Sequence, residues 1–244
     1  MRRGIVLAAL VALVPAGVHA EPLAAPVSGR TAQLGVEVGA DPSLALRLWS
    51  VGRVARWPRW GEIHVGGAFG FPVATVRDGR TFDVSAGARH LVRPWRSLGV
   101  ASRLRLESVS ARNPRFDLVG LRLGLDVAPG WYAPRWSVAC VFGYAPTVAT
   151  HVHHREASWR AFEDRYPDGS TGEGPKDGWY RAPAHEVRVG VEAGGLIATR
   201  LSLLGAAGFQ SPVGGLGLVS FPDVGRLPFF MTLGVGVALG PFRG

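Results

Sequence analysis

A stretch near the end of the chain, LPFFMTLGVGVALGPF from Leu227, alternates strictly between two kinds of residue. Large apolar residues stand at the odd positions from Phe229 to Leu239, and small residues stand at the even positions from Thr232 to Gly240. A period of two is that of a β-strand, whose successive side chains point to opposite faces. The pattern predicts a strand with one apolar face and one nearly bare face, as in the wall of a transmembrane β-barrel.

The same alternation recurs in the region 34–209, in segments separated by turn signals such as Asp41-Pro42 and Asp78-Gly79. With the closing stretch we count about ten strands, and eight or twelve remain possible because strand edges read from sequence are loose by a few residues. An even number brings both ends of the chain to the same side of the membrane. The predicted fold is all-β: a transmembrane, antiparallel, up-and-down β-barrel over residues 32–244.

The first twenty residues have the form of a signal peptide. Arg2 and Arg3 precede a short apolar run, and Val18-His19-Ala20 fits a cleavage site before Glu21. Removing the two arginines lowers the formal net charge from +9 to +7. Residues 1–20 are therefore predicted to be a signal peptide, and the Pro- and Ala-rich residues 21–31 a flexible lead-in.

Composition agrees with an exported barrel. After the signal there is no run of eighteen or more apolar residues, which excludes an ordinary helical membrane protein. The chain contains 34 glycines and only 18% charged residues, which is rich in glycine and poor in charge for a soluble domain. Cys140 is the single cysteine, so an internal disulfide framework is excluded.

Connection lengths predict the orientation of the barrel. The longest connection, at about 150–183, follows the seventh predicted strand, whereas the opposite end has short turns at about 53–60, 93–97, 129–135 and 196–200. Outer-membrane barrels keep short turns in the periplasm and long loops outside. Six aromatic residues at the short-turn end are predicted to lie at the membrane interface, although ordinary turn packing would also explain them: Trp57, Trp60, Trp95, Trp131, Tyr132 and Trp136. Neighbouring arginines, Arg93 among them, are placed to meet anionic headgroups.

Charged residues on the small-residue faces are predicted to form an ion network in the lumen. Seven are basic and seven acidic: Arg47, Arg89, Arg103, Arg105, Arg122, Arg188 and Arg200 with Glu37, Glu62, Asp83, Glu107, Asp126, Glu186 and Glu192. Charges in a lumen with little water must be paired, because an isolated buried ion is very costly. A balanced interior in a narrow barrel favours a salt-bridged plug with little conductance over an open pore.

Two other interpretations remain open from the sequence. In a soluble periplasmic ligand-binding barrel the apolar face would turn inward, although a glycine-rich face is poorly suited to a solvent-exposed strand. In a rim-active enzyme on lipid A, phospholipid or peptide, His151, His153, His154, His185 and Ser158 would supply base and nucleophile at the outer rim. No short motif joins such a nucleophile to a base, and we expect no enzymatic activity.

His151, His153 and His154 are also weak candidates for a metal site. The His-x-His spacing places two imidazoles on one strand face, but neither a cysteine nor a second histidine pair completes a tetrahedral set. We therefore expect neither a metal nor another cofactor.

The signal peptide, the glycine-interleaved strands, the long outer loop and the closing aromatic strand resemble small outer-membrane β-barrel proteins of Gram-negative bacteria. The resemblance implies an outer-membrane location, with the lipid bilayer, lipopolysaccharide and the barrel-assembly machinery as partners and no nucleic acid. It implies a structural or interaction protein, or a narrow passive pore. Such barrels usually end on an aromatic residue, whereas here Arg243-Gly244 follows Phe242.

Overall fold

A computed structural model describes residues 32–40, 44–57, 61–72, 79–95, 97–112, 115–166, 174–181, 185–213 and 229–239. The predicted signal peptide, lead-in and chain end lie outside these residues. The described part consists of eleven strands and one helix: β1 (Ala32–Ala40), β2 (Leu44–Trp57), β3 (Gly61–Pro72), β4 (Gly79–Trp95), β5 (Leu98–Arg112), β6 (Phe116–Tyr132), β7 (Trp136–His154), α1 (Glu156–Arg165), β8 (Gly178–Tyr180), β9 (His185–Leu196), β10 (Leu201–Val213) and β11 (Phe229–Leu239).

Ten of these strands form a closed antiparallel barrel. In this barrel each strand from β1 to β6 pairs with the next, β7 pairs with β9, and the series continues through β10 to β11. The barrel closes between the first and last strands, where Val36 stands opposite Val235. Closure leaves no unpaired sheet edge in the wall, which a lipid environment requires. The prediction of a ten-stranded up-and-down barrel is confirmed.

Apolar side chains face outward. Along β11 every odd position is exposed and every even position is buried, and Leu233 on the outer face is 56% exposed. The other strands repeat this pattern, with Leu125 and Val191 outside and Asp126 and Glu192 inside. A soluble ligand-binding barrel needs the opposite arrangement, so that alternative is wrong.

Two groups of outward aromatic residues mark the ends of the apolar band. Trp57, Trp95, Trp131 and Trp136 are exposed at the short-turn end, and Tyr144, Phe209 and Phe229 are exposed at the other end. Trp136 and Tyr144 stand eight positions apart on β7. That separation corresponds to about 20 Å along the axis of a barrel with strands tilted by about 40°, close to the roughly 25 Å apolar band of outer-membrane barrels.

Several strands run further than the sequence pattern predicts. β2, β4 and β6 continue to Trp57, Trp95 and Tyr132, into segments predicted to be turns. β7 continues to His154, into the predicted loop 150–183, because residues 116–121 of β6 pair with residues 149–154 of β7. This continued pairing satisfies the backbone polar groups beyond the apolar band.

The rest of the predicted loop also contains regular structure. α1 begins with Glu156 and ends with Arg165, and these charges suit the dipole of the helix. β8 pairs with residues 150–152 of β7. We call residues 116–121 and 147–154, together with α1 and β8, the outer ledge. Among the described residues, no helix is long and apolar enough to cross a bilayer.

Candidate functional site

The lumen contains most of the predicted charge network. Within the described residues, six arginines and six carboxylates point inward and are buried: Arg47, Arg89, Arg103, Arg105, Arg122 and Arg188 with Glu37, Glu62, Glu107, Asp126, Glu186 and Glu192. Arg200 is an exception, since it is exposed in the turn between β9 and β10. Its predicted place in the lumen is wrong because β9 ends before it. Asp83 lies outside the residues whose side chains the structure describes. The charge balance holds without either residue.

Asp126 is the centre of the network. Its carboxylate accepts hydrogen bonds from Arg103 Nη2 at 2.7 Å and from Arg105 Nε at 2.8 Å. Arg105 Nη1 also pairs with Glu107. Arg103 stands opposite Asp126 in the register of β5 and β6, so strand pairing brings the charges together. Because these side chains are almost completely buried, each charge depends on these partners rather than on bulk water.

Other ion pairs extend the network around the wall. Arg122 Nη1 of β6 lies 3.0 Å from Glu186 Oε2 of β9, and the pair therefore crosses β7. Arg47 Nη1 of β2 lies 3.4 Å from Glu37 Oε1 of β1, which stands opposite it in the sheet. The first pair thus links strands that are distant along the chain, and the second links consecutive strands.

Glu62 holds a second cluster nearer the short-turn end. Its carboxylate accepts a hydrogen bond from Arg93 Nη2 at 2.8 Å and lies 3.6 Å from Arg56 Nε and 3.4 Å from His64 Nε2. Sequence reasoning assigned Arg93 to lipid headgroups, whereas the structure turns it toward Glu62. Arg93 lies near the end of β4, and its contact with Glu62 could not be predicted from the sequence because it depends on the pairing of β4 with β3.

Glycines make room for the network. A Cβ on Gly124 would lie 2.7 Å from Arg105 Nε, and a Cβ on Gly143 would overlap the carboxylate of Asp126. Both contacts are too short for real atoms, so a larger residue would displace the charged groups. The small-residue face of the strands is therefore the space into which neighbouring strands send long side chains.

Two aromatic side chains also lie in the lumen, and sequence reasoning missed both. Trp49 is 3% exposed and its ring packs over Gly35 and Gly236. Phe230 is 1% exposed, packs over a glycine of β9, Gly190, and carries the guanidinium of Arg188 at 3.7 Å from its ring centroid. Strand parity was the available signal, since Trp49 follows inward-facing Arg47 by two positions and Phe230 precedes Thr232 by two.

Tyr132 was predicted to lie at the membrane interface, and this prediction is wrong. It is 3% exposed and its hydroxyl donates to the backbone oxygen of Ala128 at 2.7 Å. It belongs to a buried apolar cluster with Leu91, Ala101, Ala128, Ala139 and Val141, which we call the apolar floor. Tyr132 faces inward because β6 keeps its alternation to its last residue. Trp57, Trp95, Trp131 and Trp136 face outward, the last two stacked at 6.1 Å, while Trp60 lies outside the described residues.

The rim histidines lie on the outer ledge and make separate contacts. His151 packs edge-on against Trp179 at 5.2 Å between ring centroids. His153 Nδ1 and His154 Nδ1 both contact the carboxylate of Asp177, at 2.5 and 3.1 Å. The backbone N–H of His154 and these two imidazoles lower the pKa of Asp177 to about 2. The part of the chain that the structure describes contains no group of three His, Cys, Asp or Glu residues arranged to hold a metal.

The contacts of the rim do not join a serine to a base. His185 Nδ1 lies 2.7 Å from the hydroxyl of Tyr144, and the two rings stack. Ser158 lies in α1, and none of the described histidines hydrogen-bonds its hydroxyl. Among the described residues, the contacts of His185 and Ser158 therefore do not form the nucleophile–base pair predicted for the rim.

Closure, an apolar outer band framed by aromatic residues, and a charged interior together define an integral outer-membrane β-barrel. No protein-family model and no curated protein matches the sequence. Among solved structures, the chain is similar to the KdgM porin, at 6% identity and a TM-score of 0.33 over 85% of this chain and 99% of that one. It is similar to the β-domain of the Bordetella autotransporter BrkA, at 12% identity and a TM-score of 0.37 over 87% and 100%. It is also similar to OmpT, an outer membrane protein of Vibrio cholerae, at 10% identity and a TM-score of 0.30 over 84% and 64%.

Proposed function

We propose that the protein is a plugged outer-membrane barrel that acts as a structural or interaction protein and conducts little or no solute. The observation that carries this proposal is the burial of two kinds of inward-facing side chain in the lumen, apolar and charged. The apolar floor lies on β4 to β7 near the short turns, with Glu62 and Glu192 beside it in the sheet register, and the paired charges around Asp126 lie further from the short turns.

The apolar and the charged side chains oppose the passage of ions for different reasons. An apolar constriction excludes water and therefore ions. The six buried arginines and six buried carboxylates neutralise one another, so neither sign of ion finds a surplus of opposite charge. A ten-stranded barrel is also narrow compared with the porins that hold an aqueous channel.

The outer ledge supports an interaction role. β7 continues eight positions beyond Pro146, which pairs with the first residue of β9, and so rises about 26 Å along the strand past that point. Trp159, Trp179 and Tyr180 are exposed on the ledge, away from the apolar band. Exposed aromatic residues outside a membrane are frequent features of binding surfaces.

Single-channel recording in planar bilayers tests this proposal. The purified, folded protein is expected to add little conductance above the background of the bilayer. A large and stable conductance would instead support the narrow passive pore, and the plug would then be rejected. Heat-modifiable gel mobility of the same preparation shows that the barrel is folded.

Export and assembly are part of the same proposal. The signal peptide at residues 1–20 predicts a mature N-terminus near Glu21, which sequencing of the purified protein would test. Insertion by the barrel-assembly machinery, into a membrane whose outer leaflet contains lipopolysaccharide, predicts loss of heat-modifiable protein when that machinery is depleted. Normal insertion after depletion would contradict this partner.

The expected absence of enzymatic activity can be tested by replacing the rim histidines. Joint replacement of His151, His153 and His154 by glutamine is expected to leave every lipid modification of the host membrane unchanged. A lost modification would support a rim-active enzyme.

A further inference from the structure

Asp177 joins β8 to β7 through a single carboxylate. The backbone N–H of His154 donates to Asp177 Oδ1 at 2.6 Å, His154 Nδ1 lies 3.1 Å from the same oxygen, and His153 Nδ1 lies 2.5 Å from Oδ2. All three contacts come from the last two residues of β7, at the top of the outer ledge. Both oxygens of one side chain are thus occupied by groups of the neighbouring strand.

The position of Asp177 makes these contacts important for the ledge. It directly precedes β8, which has only three residues and is attached to β7 by the pairs between 150–152 and 178–180. Gly178 has a φ of 153°, which gives the chain the freedom to turn from Asp177 into the strand. A strand this short is weakly held by its own pairing, so its attachment depends on the side chains at its start.

We propose that Asp177, His153 and His154 form a pH-dependent clamp that holds β8 against β7. When the imidazoles are protonated, each contact joins two opposite charges and each Nδ1 carries a hydrogen to donate, whereas in a neutral imidazole only the carboxylate is charged and only one ring nitrogen can donate. Histidine is the side chain whose charge changes between pH 5 and 8. The clamp is therefore tight in mildly acidic solution and looser above neutral pH.

Charged residues of both signs surround the clamp. Asp117 of β6 stands opposite His153 in the register. Two basic residues adjoin the contact along the chain, Arg155 after β7 and Lys176 before Asp177. Phe116 of β6 packs edge-on against His154 at 6.4 Å and adds no charge. Asp177 itself stays ionised throughout the range, because its pKa is lowered to about 2.

The clamp controls the presentation of two exposed aromatic residues. Trp179 rests on His151, and the hydroxyl of Tyr180 donates to the backbone oxygen of Lys176 at 2.5 Å. Release of Asp177 frees the start of the strand that carries both rings. The mechanism concerns the ledge alone and does not depend on whether the lumen conducts.

Amide hydrogen exchange of the full, folded protein tests the clamp. After correction for intrinsic exchange rates, the amides of 178–180 are expected to exchange about five to ten times faster at pH 8 than at pH 5.5. D177N is expected to exchange fast at both values, and the double variant H153Q/H154Q is expected to lose the pH dependence. E156Q, which breaks a pair on α1 in the same ledge, is expected to keep the wild-type dependence.

Two results would overturn the clamp. One is equal exchange at both pH values in the wild-type protein, and the other is a wild-type pH dependence in both D177N and H153Q/H154Q. Heat-modifiable mobility of each variant confirms that its barrel is intact, and the site lies outside the barrel wall, so a change in 178–180 reports on the ledge.

Discussion

Gly143 on β7 stands opposite Asp126 on β6, so close that a methyl group at position 143 would overlap the Asp126 carboxylate. Asp126 is fully buried and bonded to two arginines, so it has little room to move aside. The network of the lumen and the absence of a side chain on the neighbouring strand therefore depend on each other.

Gly143→Ala tests that dependence against a matched glycine. The variant is expected to lose about 1–3 kcal/mol of unfolding free energy, as overpacking does in a dense core. Gly195→Ala on β9 is the control, because the nearest atom to its Cβ would be 3.8 Å away, and it is expected to be neutral or slightly stabilising. Urea unfolding of the two variants in the same lipid would measure the difference, and equal midpoints would contradict it.

Asp126→Ala removes the shared acceptor of Arg103 and Arg105. Leaving two buried guanidinium groups without that carboxylate is expected to cost about 3–5 kcal/mol, the usual effect of breaking a buried ion pair. Glu156→Ala breaks an exposed pair with Arg160 on α1 and should leave stability unchanged. The temperature at which heat-modifiable mobility is lost reports both effects, and a D126A protein as resistant as wild type would show that the network is not needed for stability.

Opening the apolar floor is expected to allow conduction. Tyr132→Ala combined with Val141→Ala truncates two of the three members of this cluster that are larger than alanine. Single-channel conductance should rise several-fold relative to wild type. Trp131→Ala changes the adjacent outward residue of the same strand and should not conduct more than wild type. Equal conductance of the floor variant and wild type would place the block elsewhere.

Leu125→Arg tests the lipid-facing surface. Leu125 is half exposed on the outer face of β6, near the middle of the apolar band. Arginine there is expected to cost about 2–4 kcal/mol of folding free energy into bilayers, whereas Ile197→Arg in the turn between β9 and β10 should cost about 0–1 kcal/mol. Folding titrations into lipid vesicles would compare them, and a neutral L125R would argue against a membrane position for this face.

Acid is expected to undock β8. The pKa of Asp177 is lowered from its ordinary 3.8 to about 2, so its contribution is fully present above about pH 4 and is lost as the pH falls through about 2. Pepsin is active at both pH values. The ratio of its cleavage rate near Tyr180 at pH 2 to that at pH 4 should be larger for the wild-type protein than for D177N. An identical ratio for wild type and D177N would contradict the assignment.

Strand parity predicts most of the lumen from sequence alone. Arg47, Arg103 and Glu192 are inward because each shares a face with small residues along its own strand, and this needs no knowledge of neighbouring strands. The same parity would have placed Trp49 and Tyr132 inside had the strands been carried to their true ends. The ends of strands cannot be predicted from the sequence, because the pairing partner and not the local pattern decides where hydrogen bonding stops.

The sequence by itself determined the fold class, the approximate number of strands and the face on which most of the charges lie, since alternation is a local property of the chain. Only the tertiary structure decided which charges meet. Arg122 and Glu186 are 64 positions apart and pair across an intervening strand, and His153 and His154 reach Asp177 after the chain has passed through a helix. Register and closure set these distances, and both depend on all ten strands of the wall at once. The alternating stretch from Phe229 to Leu239 therefore predicts a strand of the barrel wall, and the neighbouring strands decide which side chains lie in the lumen.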